Sequence, residues 1–484
     1  MSILNRLLAA GLNLTARKDA KKQAPELTDG TFTYAPPTEN RTFFAGFGTM
    51  PVLPDDIDKK KYYIAGYSDH NPARGVIDPQ YVSALWLDDG SGGWLFISAD
   101  VVGLLSKDVN RLKDGLSDFC RLTGCRGITV MATHNHAGID TMGIWGPLPL
   151  TGRDEKFMSL LFRQAKAAAM AAYEDRREGK LYYGTAEVPD MQEDIRTPEV
   201  YSKTLARFRF VPDDGAPETW FLNFASHSES LQGCNHLVSA DFPAYLREQI
   251  RIRTGARTFY TVGAIGGMIS MDIGDEDLLR REHRLLESTR GIGRKLGDYA
   301  CGIENDRPLS ARISAVVQPF YVKVENPLLS MAAVAGIMQA DRYFLPEPAV
   351  LTQMTYMELD DVPMLFLPGE LFPELVFGGA LAAEDSATGK GPECNPPPLS
   401  ETAGAEELLV FGLADDELGY ILPPNDFYLN PDKPYLDKGI DCHGRRHYEE
   451  TNSTGPETAR TVSDTFIAVM DLVKKTKSDY QGGK

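Results

Sequence analysis

The chain has 484 residues, 43% hydrophobic and 24% charged, an ordinary globular composition that excludes a disordered, fibrous or membrane-spanning protein. With 50 Lys and Arg against 68 Asp and Glu the formal net charge is −18, so a nucleic-acid backbone is repelled and no basic stripe offsets the repulsion. The length fits several ordinary domains or one large α/β enzyme domain.

At the N-terminus, Ile3, Leu4, Leu7, Leu8 and Leu12 fall on helical spacing and precede Arg17, Lys18, Lys21 and Lys22. This short amphipathic segment suits either peripheral contact with a membrane surface or docking as a frayed helix. Its apolar run is interrupted and lacks a basic start, and nowhere do 18 consecutive apolar residues occur. A cytoplasmic protein with no transmembrane helix is therefore expected. Residues 1–41 read as an arm and residues 42–478 as one catalytic domain; the sequence sets no oligomeric state. Six scattered cysteines with no CxxC pair read as reduced thiols.

Along that domain, short apolar runs predict buried strands at 94–99, 128–133, 221–225, 258–262, 364–367 and 408–411. Helical patterns over 108–122, 155–173, 244–253 and 276–300 separate many of them, and a last helix spans 456–475. The alternation predicts an α/β fold, with a mixed α+β arrangement as its variant: mixed, largely parallel sheets covered by helices. Polar loops at 383–406 and 423–446 interrupt the pattern without marking a domain boundary. Most predicted strands end in something polar: Asp100, His134-Asn135-His136, His227, Gly266 to Ser270, Glu370, and Asp415 to Tyr420. Ligands of α/β sheets sit at strand carboxyl ends, so a metal site is expected there.

His134 and His136, two apart at a strand end, project to one side and suit a metal ion, although such a pair alone also fits ordinary hydrogen-bonded histidines. His227 and Glu370 add the nitrogen and oxygen donors that zinc accepts. His283 lies in a charged helical run and reads as solvated, while His70, His236, His443 and His447 stay unassigned. The chain carries no HExxH, Walker A, EF-hand or GxSxG motif, which removes zincin, P-loop and α/β-hydrolase readings.

Several ordered motifs carry a resemblance. They are Ala65-Gly66-Tyr67-Ser68, Thr133-His134-Asn135-His136-Ala137-Gly138, Phe224-Ala225-Ser226-His227-Ser228, Gly267-Met268-Ile269-Ser270, Leu367-Pro368-Gly369-Glu370-Leu371-Phe372, Gly419-Tyr420-Ile421, and Tyr448 to Thr454. Taken in order, they resemble the catalytic region of neutral, non-lysosomal ceramidases, zinc-dependent amidases that release a fatty acid from sphingosine. The resemblance implies Zn2+ held by His134, His227, Glu370 and Tyr420, of which Tyr420 also fits a plain core or rim tyrosine. It implies that His136, Arg196 and Tyr448 face the scissile amide, with Arg196 and Tyr448 stabilising an oxyanion and His136 shuttling a proton. Outside the resemblance Arg196 reads as an exposed surface cation. Ser270 is expected close to substrate, as nucleophile or as the group that orients the substrate hydroxyl, and the missing elbow favours the second role.

Asn135 and Ala137 replace a threonine and a serine of the family pattern, and residues 139–145 differ from its small-residue continuation, so Trp145 and Asp140 are expected to shape a different wall. The chain also ends soon after the last predicted helix, which predicts no C-terminal immunoglobulin-like domain. The implied substrate is ceramide or a related N-acyl lipid. Two alternatives are a zinc hydrolase of a smaller, non-lipid amide or ester, and a non-catalytic lipid- or metal-binding homologue.

Overall fold

The computed structural model describes residues 24–37, 41–68, 70–147, 150–345 and 347–482. The N-terminal amphipathic segment lies outside the described residues. Eight long strands build the larger sheet: β1 (Phe43–Val52), β2 (Gln80–Asp88), β3 (Gly93–Ala99), β4 (Gly127–Ala132), β5 (Arg177–Glu187), β6 (Thr204–Pro212), β7 (Thr219–Phe224) and β8 (Arg257–Val262). They are ordered β8-β7-β6-β5-β1-β2-β3-β4, with Arg307–Pro308 added beside β5. The second sheet runs β9 (Ile313–Lys323), β10 (Pro348–Leu359), β11 (Val362–Phe366) and β12 (Leu409–Phe411), with Tyr343–Phe344 beside β10.

The sheets are mixed and helix-covered, but the expectation that they are largely parallel is corrected. Only β3/β4, β7/β8 and β11/β12 pair in parallel; the other long-strand pairs are antiparallel. The reason lies in the connections. Residues 89–92 and 213–218 are too short for a crossover and force hairpins, whereas helices or long excursions intervene within each parallel pair.

Those helices are α1 (Ser106–Asp114) and α2 (Ser117–Thr123) between β3 and β4, then α3 (Glu155–Glu174), then α4 (Phe242–Thr254) between β7 and β8, and α5 (Leu285–Cys301). The helix expected over 108–122 breaks after Gly115, and that expected over 276–300 breaks at His283, whose φ of 54° no helix continues. Asp154 caps α3 by accepting the Lys156 and Phe157 amides, and Phe157, Leu161, Ala165, Ala168 and Ala172 form its buried stripe. This stripe joins Trp86, Leu95 and Ile97 in a core between helices and the larger sheet. The longer helices that follow are α6 (Pro327–Val334) and α7 (Thr458–Gly482). Phe466, Val469 and Val473 of α7 cover the outer face of the second sheet. The layers run helix, sheet, sheet, helix. Among the described residues no helix is long and apolar enough to cross a membrane.

Between the sheets lies a cluster of four buried rings, one each from β3, β7, β11 and β12. Phe366 stacks on Phe411 with centroids 4.5 Å apart, and Phe96 and Phe221 close the group at 5.4 to 5.8 Å. The larger sheet also curls on itself, so that the Ser98 hydroxyl on β3 donates to the Tyr260 carbonyl on β8 at 2.7 Å. Both features bring the carboxyl ends of the parallel strands to one place. We expect Phe366→Ala to lower unfolding stability by about 3–5 kcal/mol, read from the shift of a urea unfolding midpoint, since the ring is fully enclosed.

Candidate metal centre

The first two donors are set by loops that are zipped together where β4 and β7 end. Asn135 bridges to Ser228, the His136 amide donates to the Ser228 carbonyl at 2.9 Å, and the Ser228 hydroxyl donates to the Thr133 carbonyl at 2.7 Å. His134 takes a left-handed φ of 52°, a conformation costly for a residue with a Cβ, and its ring turns inward as a result. Its Nδ1 lies 2.7 Å from the Val102 carbonyl, and Nδ1 of His227 lies 2.8 Å from the Ile269 carbonyl. A carbonyl only accepts, so each Nδ1 carries a proton and each Nε2 is aimed into the site, where a cation can use its lone pair.

Glu370 enters from the second sheet. The short strands Glu370–Leu371 and Tyr420–Ile421 pair in parallel with Glu370 opposite Tyr420, beyond the ends of β11 and β12. One carboxylate oxygen of Glu370 stands 3.0 Å from His227 Nε2 and 3.4 Å from His134 Nε2. Burial opposes a charge on His227, but Glu370 and Glu229 outweigh it and push its pKa up to about 9, so with no cation between them a proton joins its Nε2 to Glu370, in the place a metal ion would take. Two lone-pair nitrogens and a carboxylate facing one another form an electron-rich hollow, and a cation between them satisfies all three. This donor set fits a zinc-class ion.

His136 completes the ring cluster: ligand atoms of His134, His136 and His227 lie within 4.8 Å of one another. Burial pushes the His136 pKa down to about 3, so its ring is neutral, and both of its buried nitrogens lack a hydrogen-bond partner. Gly66, at φ 114°, makes room for that ring, since a Cβ there would stand 2.6 Å from Nδ1. Tyr420 is buried beside Glu370, and its hydroxyl donates to the Met268 sulfur at 2.8 Å.

A cavity of about 90 Å³ opens on this centre, walled by His134, His136, Glu370, Tyr420 and Tyr448 together with Val102, Met142, Ile144, Trp145, Leu329 and Met338. Trp145 is therefore a wall residue, as expected. Asp140 acts behind the wall: its carboxylate accepts the amides of Met142, Gly143 and Trp145 and holds their loop in shape.

Two expected residues sit elsewhere. Arg196 is buried rather than exposed, and its guanidinium does not reach the cavity wall. It donates to Glu449 at 2.7 Å, Glu450 at 2.9 Å and Asp426 at 3.0 Å, and its other neighbour is His447. Three carboxylates thus take up the donors expected to face an amide. Asp426 and Asn425 in turn tie the 423–446 loop to the 383–406 loop through Ala387 and Asn395. Ser270 is also outside the wall and donates to Glu229.

Glu229 is a residue sequence reading missed. It accepts from Ser270 and, at 2.6 Å, from Tyr67, and it stands 3.4 Å from His136 Nδ1. Burial opposes its charge, but the neighbouring imidazoles and the two hydroxyls outweigh it and hold its pKa down to about 2. Its signal was present: His227-Ser228-Glu229 repeats the two-residue spacing of His134-Asn135-His136. Of the unassigned histidines, His447 belongs to the Arg196 network through Glu450 and Asp441, His236 contacts Asn71, and His283 is exposed as expected.

No family model and no curated protein matches the chain. Solved structures do. The neutral ceramidase from Pseudomonas aeruginosa matches with a TM-score of 0.67 and 14% identity over 90% of this chain and 75% of that one. A ceramidase complexed with C2 matches with a TM-score of 0.68 and 14% identity, over 90% and 76% of the two chains. The chain has the neutral-ceramidase fold.

Replacing Arg196 removes the buried cation that Asp426, Glu449 and Glu450 share. Arg196→Leu is expected to cost about 3–5 kcal/mol of stability in urea unfolding; an unchanged midpoint would show that the network carries no structural load.

Proposed function

We propose that this chain is a zinc-dependent amide hydrolase acting on N-acylsphingosine or a related N-acyl lipid, releasing a fatty acid and a free amine. The observation that carries the reading is the meeting of the His134 and His227 lone pairs with Glu370 at the floor of an apolar-walled cavity. The shared fold with ceramidases supports it. In this reading His134, His227, Glu370 and Tyr420 hold the metal, and His136 and Tyr448 face the substrate. A bound zinc supplies Lewis acidity toward the amide carbonyl and makes a water nucleophile available at neutral pH.

The chain's own residues do the rest. Tyr448, in the wall, presents its phenol to the carbonyl oxygen as negative charge develops there. His136 is neutral and free to take a proton at one nitrogen while the Glu229 carboxylate faces the other and steadies the cation that results. Ser270 acts through Glu229, fixing that carboxylate rather than attacking the substrate. Arg196 positions the segment that carries Tyr448 by pairing with Glu449 and Glu450 beside it. Val102, Met142, Ile144, Leu329 and Met338 exclude water and receive an acyl chain.

The size of the cavity favours a second reading, hydrolysis of a smaller amide or ester. A volume of about 90 Å³ narrowed by Trp145 accepts a short acyl group more readily than a long one.

Two measurements test the reading. After equilibration with zinc, inductively coupled plasma mass spectrometry should find the metal lost in His134→Ala and His227→Ala but kept in His136→Ala. Metal loss in the third variant would move His136 into the ligand set. Mass spectrometry of sphingosine released from ceramide, beside amines released from short N-acyl amides, should show release that a chelator abolishes and zinc restores. Release from the short amides alone selects the second reading, and no release from either series by the zinc-loaded chain removes both.

A further inference from the structure

Three consecutive acids, Asp415, Asp416 and Glu417, precede Tyr420, and the fold treats them differently. Asp415 accepts the Val130 amide at 2.8 Å and the Gln353 side chain at 2.6 Å, and pairs with Lys113 at 2.9 Å. Asp416 accepts the Ser106 amide at 2.6 Å and the Glu417 amide at 2.9 Å. Both are consumed in holding loops together. Among the described residues Glu417 accepts only the Gly419 amide, at 2.8 Å through Oε1, and its buried Oε2 has no partner.

A buried carboxyl oxygen left unpaired is unfavourable, more so when charged, and calls for a group that satisfies it. The place of Glu417 says where such a group comes from. Beside the metal cavity lies a second, apolar cavity of about 60 Å³, lined by Leu105, Val324, Ala333 and Val350 among others. Leu329, Met338, Glu417 and Leu418 belong to the walls of both. A molecule reaching from the metal centre into the second cavity passes Glu417 at the junction. Gly103 keeps the position open, because a Cβ there would meet Glu417 Cγ at 2.8 Å. The second cavity's wall also holds Arg342 and Asp416, the latter taken up by backbone amides, but at the junction of the two cavities the charged side chain is Glu417, an acceptor.

We infer that Glu417 is a specificity-determining residue that receives a hydrogen-bond-donating substituent, hydroxyl or ammonium, on the part of an amide substrate that lies toward the second cavity. This rests on reading the metal centre as an amide-hydrolysing site. Burial and the Glu370 carboxylate also push the Glu417 pKa well above the usual carboxylate range. A hydroxyl, which both gives and accepts, matches the acid in either protonation state; an ammonium partner matches the ionised one.

The test uses zinc-loaded full-length chain and two matched sets of compounds. In the first set N-butanoyl ethanolamine, its ethylenediamine counterpart and N-butanoyl propylamine differ only in a hydroxyl, an ammonium or a methyl on the amine side. In the second set the N-propylamides of butanoic and hydroxybutanoic acid differ on the acyl side. Turnover is measured as kcat/KM. Binding is measured by calorimetry on ketone analogues, with CH2 in place of the amide NH, which cannot be hydrolysed.

In at least one set the donor-bearing analogue should bind about tenfold more tightly than the methyl one, the scale of one well-placed hydrogen bond. Glu417→Met should erase that preference, and Glu417→Gln, which cannot ionise, should erase it only if the donor is an ammonium. Equal binding across both sets in the wild-type chain overturns the inference without any variant, and so does a preference that survives in E417M. The two readings fail separately: equal binding with turnover of every amide keeps the hydrolase and removes Glu417, whereas donor preference without turnover does the reverse.

Discussion

The structure hangs on four phenylalanine rings. Phe96, Phe221, Phe366 and Phe411 come from all three parallel strand pairs and meet between the two sheets. Close-packed rings leave little freedom to slide, so the strands that bear them are held in one relative position. A few residues beyond the rings, β7 runs into His227, β11 into Glu370 and β12 toward Tyr420, while β4, the parallel partner of β3, runs into His134. Packing deep in the core thereby sets the spacing of polar atoms at the surface of that core.

A second constraint turns those atoms into a site. Two backbone carbonyls, of Val102 and Ile269, each hold one imidazole by Nδ1 and leave the other nitrogen aimed inward. With Glu370 facing both, the hollow is rich in lone pairs and short of positive charge. The outer arrangement follows the opposite rule. Around Arg196, three carboxylates share one guanidinium, with Arg445 and His447 against two of them, and lock two long loops beside the cavity. One group of charges is satisfied within the fold, and the other faces the cavity.

Much of the fold was legible in the sequence, and for a definable reason. The six apolar runs read as strands are the three parallel pairs, because a parallel strand is buried on both faces and shows as an unbroken apolar run. The antiparallel strands escaped notice because polar residues interrupt them, as Arg177, Glu178 and Lys180 do in β5 and Gln318 and Lys323 do in β9. Reading only the buried pairs made the sheets look more parallel than they are. His134, His136, His227, Glu370 and Tyr420 were visible because each follows one of those runs or a short motif just beyond it.

By itself, then, the amino-acid sequence determined the helix-covered strands, the donor types and their places at strand ends, since local burial and chemistry are written in neighbouring residues. Tertiary structure alone decided which charged groups are satisfied. Asp415, Asp416 and Glu417 are equivalent along the chain, yet Val130, Lys113, Gln353 and Ser106 complete the first two and leave the third with a free oxygen. Arg196 likewise reads as a surface cation until Asp426, Glu449 and Glu450 close on it from more than 200 positions away. Partners at such separations are set by how the sheets pack, and no local pattern records them.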